Sequence, residues 1–367
     1  MTPPRHQRGQ RGIALIITLL VVTLLSILVV EFTYSVQVES HISRNSLNAL
    51  QAAYLARSGI NILAGALMVD NSPNVDPDEE DKQDGWGAFA AQDCSPLPAL
   101  ELPRSWHLCV RIVDESGKIN INRTKPLVPL RANQTAPTDC RNGNEVCWLD
   151  ALQRLLANQG LEDAEAVRNE IKEFWDTVQA HSTAGRAALP FDFGSVEDVS
   201  AAFPRLRTQA VFRTLRDFAA ALPAHRFRQG VNINTAPPEV LNALIDDPGI
   251  VDNILATREE KAFDNVAQVF AQSGVASDPG RLQNMFTTKS MIFRLESSAV
   301  VNGIGKTIRA LAQRDQSPPR PGAAPGTRGW RLTFLDWQKE GGADLFERRS
   351  AVLDDELELE DKSGNNL

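Results

Sequence analysis

From Ile13 to Val30 the chain carries no charged residue, and nothing else in it restricts the possible folds so tightly. As a helix this run is about 27 Å long at roughly 1.5 Å per residue, near the thickness of a bilayer's hydrocarbon core. Arg5, Arg8 and Arg11 precede it, and Glu31 is the first charge after it. The positive-inside bias therefore places the N-terminus in the cytoplasm and the remainder across the membrane. The basic leader ends in Gly12, directly against Ile13. A secretory signal is cut behind its apolar region, which is then lost. Here no small-residue cleavage site follows the run, and a cut at Gly12 would leave the apolar helix in the mature chain.

The helical pattern continues past the charge-free run. Glu31 to Met68 contains no proline and only Gly59 and Gly65 as breakers, and Val36, Val38, Ile42, Leu47, Leu50, Tyr54, Leu55, Ile60, Leu63 and Leu67 recur mostly at three- and four-residue steps. That period predicts an amphipathic helix continuous with the membrane segment, a rod on the order of 80 Å. The leader, the apolar run and the Ala-rich stretch Gln51-Ala52-Ala53-Tyr54-Leu55-Ala56-Arg57-Ser58-Gly59 resemble the type IV pilin and pseudopilin superfamily, from Gly12 to about Leu67. The resemblance implies cleavage by a prepilin peptidase at Gly12, with Ile13 as the mature N-terminus. In most members the fifth mature residue is a glutamate; here that position is Ile17. The subfamily that lacks this carboxylate as a rule is the large minor pseudopilin K of type II secretion.

Composition fits a folded head beyond the helix. Of 367 residues, 43% are apolar and 23% charged, leaving about 300 residues for one large domain or two ordinary ones. The net charge of −8 argues against a nucleic-acid partner, because a phosphate backbone calls for a basic face. Cys94, Cys109, Cys140 and Cys147 all lie past the membrane segment, on the predicted oxidising side. Four thiols allow three connectivities; Cys94–Cys109 and Cys140–Cys147 are favoured because each closes within one local stretch. A zinc site would need closer Cys-x-x-Cys pairs or histidine partners.

Asp70 to Gly87 is an acidic loop without the alternating ligands and fixed glycine of an EF-hand. Trp106 to Val113 alternates like a strand and leads through a turn at Ser116-Gly117 into Lys118-Ile119-Asn120-Ile121-Asn122. In the pseudopilin K family a nearly identical stretch marks where a helical insertion leaves the pilin sheet. Helical steps recur over Trp148–Ala157, Glu162–Val178, Ser195–Phe203 and Gln209–Leu222. No repeat of 30–45 residues is evident, but Ile119-Asn120-Ile121-Asn122 is echoed by Val231-Asn232-Ile233-Asn234.

The echo opens the most specific motif of the soluble part, Val231 to Leu244. Thr235 is positioned to cap a helix that begins on Pro237-Pro238, with Glu239 in its first turn and Leu241 and Leu244 facing a core. A second helix, Val251–Lys261, follows Asp247-Pro248-Gly249-Ile250. This resembles a helix–hairpin–helix (SAM-like) unit, which elsewhere binds DNA. Such units offer glycine amides to a phosphate, but the hairpin from Asp246 to Asp252 has one glycine, a proline and three carboxylates. A protein-packing scaffold is therefore favoured. Strands return over Met291–Val301 and Lys306–Leu311 around the hairpin turn Asn302-Gly303, and Trp330–Trp337 reads as a closing edge strand.

None of the five histidines lies beside a candidate nucleophile in a recognisable motif, so no enzyme is expected. The family resemblance implies calcium in the helical insertion; Phe174-Trp175-Asp176-Thr177-Val178 keeps one of the usual paired aspartates, and Asp176 is the only ligand carried over. The resulting expectation is an α+β protein. Its parts are a leader (1–12), a transmembrane pilin helix (13–68), a pilin-like head with an antiparallel sheet (69–118 and 290–340), a helical insertion (119–289) and an acidic tail (341–367). The resemblance implies a single-pass inner-membrane minor pseudopilin with a periplasmic head. It would cap the pseudopilus and help start its assembly together with other minor pseudopilins. A minor pilin of a type IV pilus and a membrane-anchored DNA-binding protein are the alternatives.

Overall fold

The computed structural model describes residues 10–69, 85–90, 100–126, 140, 143–181, 192–223, 230–273, 283–317 and 329–341. Residues 1–9 of the expected leader, the acidic tail from 342 onward, most of the acidic loop and the segment 318–328 lie outside them. Helix α1 (Gln10–Val69) is one unbroken rod of 60 residues, about 90 Å long. Every residue from Ile13 to Leu47 is exposed, and burial begins only where Ala52, Leu55, Ala56, Ile60, Leu63 and Leu67 turn one stripe to the head. Small residues let the helix lie close. A Cβ on Gly59 would stand 2.1 Å from the Ser297 hydroxyl oxygen and 2.9 Å from Val110 Cγ1.

The head is a four-stranded antiparallel sheet interrupted by the insertion. Strand β1 (Trp106–Asp114) comes before the insertion. The insertion runs through β2 (Ile119–Asn120), α2 (Glu145–Asn158), α3 (Ala164–His181), α4 (Val196–Ala202), α5 (Gln209–Phe218), β3 (Ala219–Ala220), β4 (Val231–Asn232), α6 (Pro238–Leu244), α7 (Pro248–Glu260), α8 (Val266–Ser273) and β5 (Phe286–Thr287). The sheet then resumes with β6 (Ile292–Val301), β7 (Ile304–Ser317) and β8 (Gly329–Gly341) in the order β1-β6-β7-β8. Asn302 and Gly303 take positive φ of 49° and 82°, the geometry a two-residue hairpin needs to match strand twist. Alternate residues such as Leu108, Val110, Phe293, Leu295, Ile308 and Ala310 meet α1, and Trp86 packs edge-on to Phe293 at 5.2 Å.

Two polar contacts fix the direction of the head. At one end Asn302 Nδ2 donates to Asn48 Oδ1 (3.0 Å). At the other, buried Arg314 donates to the carbonyl of Leu67 (3.2 Å), satisfying an acceptor in the last turn of α1. Asp114 pairs with Phe293 and Ile292 with Gln313. The insertion thus leaves and rejoins the sheet level with Leu67, at the end furthest from Ile13–Val30.

The insertion is built twice on one plan. In each half the first asparagine of an Asn-Ile-Asn segment and the residue before it form a two-residue strand in a parallel pair, β2 with β3 and β4 with β5. The second asparagine then clasps the backbone of a phenylalanine in both directions. Asn122 accepts from Phe193 N and donates to Phe193 O, both 2.9 Å; Asn234 does the same with Phe263 at 2.9 and 3.1 Å. Each phenylalanine leads into matching sequence, Phe193-Gly194-Ser195-Val196 and Phe263-Asp264-Asn265-Val266. Ser195 and Asn265 each accept from the backbone three residues on, at 3.1 and 3.0 Å, which starts α4 and α8. The two halves share one core, separate from that of the head.

Three local expectations change. Thr235 does not cap α6: the cap position is Pro237, without a side-chain bond, and the Thr235 hydroxyl donates to Asp114 instead. Helix α5 ends at Phe218 rather than Leu222, because Ala219-Ala220 pairs with Ile119-Asn120. The chain leaves the sheet at Asp114, through a 3-10 turn at Glu115–Gly117, four residues before the expected boundary at 118.

Candidate functional site: the anchor helix and the insertion junction

The exposed half of α1 is long and apolar enough to cross a membrane. Its polar side chains suit that medium. Thr18 and Thr23 donate to carbonyls three residues back (both 2.9 Å), and Ser26 and Thr33 to carbonyls four back (2.8 and 2.7 Å). Each hydroxyl is therefore satisfied within the helix, as hydrocarbon requires. Ile17 is 56% exposed on this surface. Gly12 lies inside α1, so the expected processing junction falls in the first turn of the rod, next to exposed Ile13.

At the other end, the junction of sheet and insertion concentrates the buried charge. Asp114 closes β1, and its carboxylate accepts from Ser116 N (2.8 Å), from the Thr235 hydroxyl and from the Ser290 hydroxyl. Burial pushes its pKa up to about 6; the three donors oppose the rise and neighbouring Glu115 adds to it. Next to it Glu115 binds Lys118 Nζ at 3.0 Å and Arg294 Nε at 3.0 Å. Lys118 also donates to the Arg216 carbonyl (2.9 Å). Burial, helped by Arg294, lowers the Lys118 pKa to about 8 against the pull of Glu115. On the sheet Glu296 is nearly inaccessible. Burial would raise its pKa, but Arg294, Arg111 and Arg309 together hold it down to about 2.

The other expected site residues are dispersed. Cys140 and Cys147 are bridged (S–S 2.03 Å), which ties the segment before α2 to its first turn. Cys109 is disulfide-bonded, and Cys94 lies outside the described residues. Asp176 sits on the exposed face of α3, ion-paired with Lys172 at 2.9 Å. Among the described residues no group of three or more His, Cys, Asp or Glu side chains could hold a metal. Asp176 and its described neighbours thus do not fit a calcium site, whose ion takes six to eight oxygens. In the helical hairpin, Asp247 accepts from Gly249 N (2.8 Å) and Asp246 pairs with Arg154. The chain's own carboxylate thereby occupies an amide that a phosphate would need. The Asp114 cluster was not among the expected site residues. Two of its three donors, Thr235 and Ser290, lie more than a hundred positions along the chain, and the available signal was the Asp-Glu-Ser-Gly-Lys run read only as a turn.

Comparison with known proteins follows these features. The family described as "Type II secretion system (T2SS), protein K" matches residues 231–289, the second half of the duplicated insertion. The type II secretion system protein K of Pseudomonas aeruginosa is 29% identical over 272 residues, 70% of this chain and 75% of that protein. A chain in the crystal structure of the GspK-GspI-GspJ complex from the enterotoxigenic Escherichia coli type 2 secretion system shares the fold. The TM-score is 0.56 at 19% identity, over 82% of this chain and 99% of that one. The chain is thus similar in sequence to protein K of type II secretion and shares the fold of a chain of the GspK-GspI-GspJ complex, in agreement with the pseudopilin resemblance read from its sequence.

Proposed function

We propose that this chain is a minor pseudopilin that caps the pseudopilus, held by α1 in the inner membrane with its head in the periplasm. One observation carries the assignment: the insertion sits at the end of the head furthest from the apolar run, where its strands cross beside Leu67. In a filament whose subunits stack along their helices, that is the side on which the next head would have to fit. A body with its own core at that place favours a subunit with nothing above it. Ile17 supports the same position, since a carboxylate there would serve to pair with the amine of a subunit ahead. A buried carboxylate without that partner would be costly.

The complex of similar fold suggests two smaller minor pseudopilins as partners, counterparts of GspI and GspJ. Leu47, Leu50 and Tyr54, each more than half exposed on the side of α1 away from its own head, offer their helices an apolar stripe. The role is structural rather than enzymatic. A prepilin peptidase would release the leader at Gly12, giving Ile13 as the first residue. The test is co-expression with that peptidase and the other pseudopilins, with photo-crosslinkers at positions 47, 50 and 54. The expected result is a mature N-terminus at Ile13 and crosslinks to other subunits. Abundant crosslinks between copies of this chain would overturn the cap, which occurs once per filament.

A further inference from the structure

We infer that Asp114 is a latch that sets how the insertion sits on the head, by receiving hydrogen bonds from both crossing segments and from the second half of the insertion. Head and insertion have separate cores. Among the described residues, the apolar patch between them is small: Ala220 and Leu222 of the insertion against Ile292, with Met291, Leu311 and Leu335 at its margin. Beside it runs a cleft of about 90 Å³ between Glu197 and Arg216 on one side and Arg294, Arg309 and Asp336 on the other. A junction with so little packed surface leaves orientation to its polar bonds.

Those bonds converge on one carboxylate. Ser116 N, in the outgoing turn, donates to one oxygen of Asp114. Ser290, just before the returning strand, and Thr235, after the second Asn-Ile-Asn segment, donate to the other. Ser290 in turn accepts from Asn232 Nδ2 (2.7 Å). The Ser116 hydroxyl accepts from Met291 N (3.1 Å) and Ile292 N (3.3 Å), joining the outgoing and returning chain directly. Gly117 is required at this place, because a Cβ there would lie 2.9 Å from the Thr235 hydroxyl oxygen. The charged groups around the latch are Glu115 and Lys118 in its own turn and Arg294 and Glu296 on β6. Arg258 of α7 donates to the carbonyls of Ile233 and Ala236 (2.9 and 2.7 Å) on the segment that carries Thr235.

Linkage gives the latch a pH dependence with a definite sign. Closed, Asp114 has a pKa raised to about 6; released to solvent it returns towards 3.8. The closed state holds the proton more tightly, so its extra stability is complete below 3.8 and is lost as pH rises through about 6. Opening should be about tenfold rarer at pH 5 than at pH 7.5.

Hydrogen exchange on the full chain in lipid nanodiscs tests this, following amides 114–120, 231–236 and 288–292 after correction for intrinsic rates. Wild type should show the tenfold change, and Asp114→Asn, nearly the same shape but without a titrating proton, should show none. Asp114→Ala should lose protection in all three segments together while the amides of β7 keep theirs. Ser290→Ala removes a donor to the ionised form, so it should move the transition to higher pH. The latch is refuted if Asp114→Asn keeps the wild-type pH dependence, or if Asp114→Ala leaves the three segments as protected as before.

Discussion

Gly59 and Gly65 lie in the same stretch of α1, Gly59 buried against the head and Gly65 exposed, and substituting alanine should act in opposite directions at the two. At Gly65 an added Cβ meets nothing within 4 Å; alanine there removes backbone entropy from the unfolded chain and should stabilise by up to about 1 kcal/mol. At Gly59 the same atom would collide with Ser297 and Val110, both fully buried. The helix-propensity gain is then outweighed by overpacking of about 1–3 kcal/mol. Thermal unfolding of the detergent-solubilised chain should show the melting point raised by Gly65→Ala and lowered by Gly59→Ala, with Ser297→Gly partly restoring the latter. Equal effects at both positions would mean that α1 is not seated on the sheet at Gly59. In the sequence the two glycines are indistinguishable, both simply breakers in a helical pattern. What separates them is a neighbour on a strand far along the chain.

At the scale of elements, legibility followed how local the cause was. The rod α1, the hairpin at Asn302-Gly303 and most helices of the insertion are specified by periodicity and turn chemistry within a few residues. Helix α5 shows the limit. Ala219, Ala220 and Leu222 continue a helical pattern, yet parallel pairing with Ile119-Asn120 draws the first two into a strand, a tertiary override of local propensity. The duplication was visible only as the echo of two Asn-Ile-Asn segments, because its halves are unequal. Asn122 reaches its phenylalanine across 71 residues and Asn234 across 29, so no constant period survives. The shared plan makes a prediction: Asn122→Ala and Asn234→Ala should be similarly damaging. Each strands a buried N–H and a buried carbonyl of one phenylalanine, which costs about 1–3 kcal/mol per group. Urea unfolding measures this. A large loss for one variant and none for the other would show that the two clasps are not equivalent.

At the scale of the whole molecule, the insertion is placed so that it can be removed without opening the head. Asp114 and Phe293 are partners on adjacent antiparallel strands, so a short Asn-Gly-type turn can replace everything between them and join β1 to β6 as a simple hairpin. Among the described residues the core under the sheet draws no side chain from the insertion. Excision removes Ala220, Leu222, Met291 and Ile292 from the small patch at the junction and leaves Leu311 and Leu335 on the head, where threonine would be compatible with water while keeping a strand-forming residue. The trimmed chain should therefore fold, keep the melting behaviour of its head and still reach the membrane through α1. If the insertion is what confines the full-length protein to the tip, the trimmed form should become tolerable inside the shaft. Crosslinkers at positions 47, 50 and 54 would then report contacts between copies that the full-length chain lacks. A trimmed protein that folds but still appears once per filament would shift the cause of capping from the insertion to the anchor helix, where Ile17→Glu is the next substitution to make.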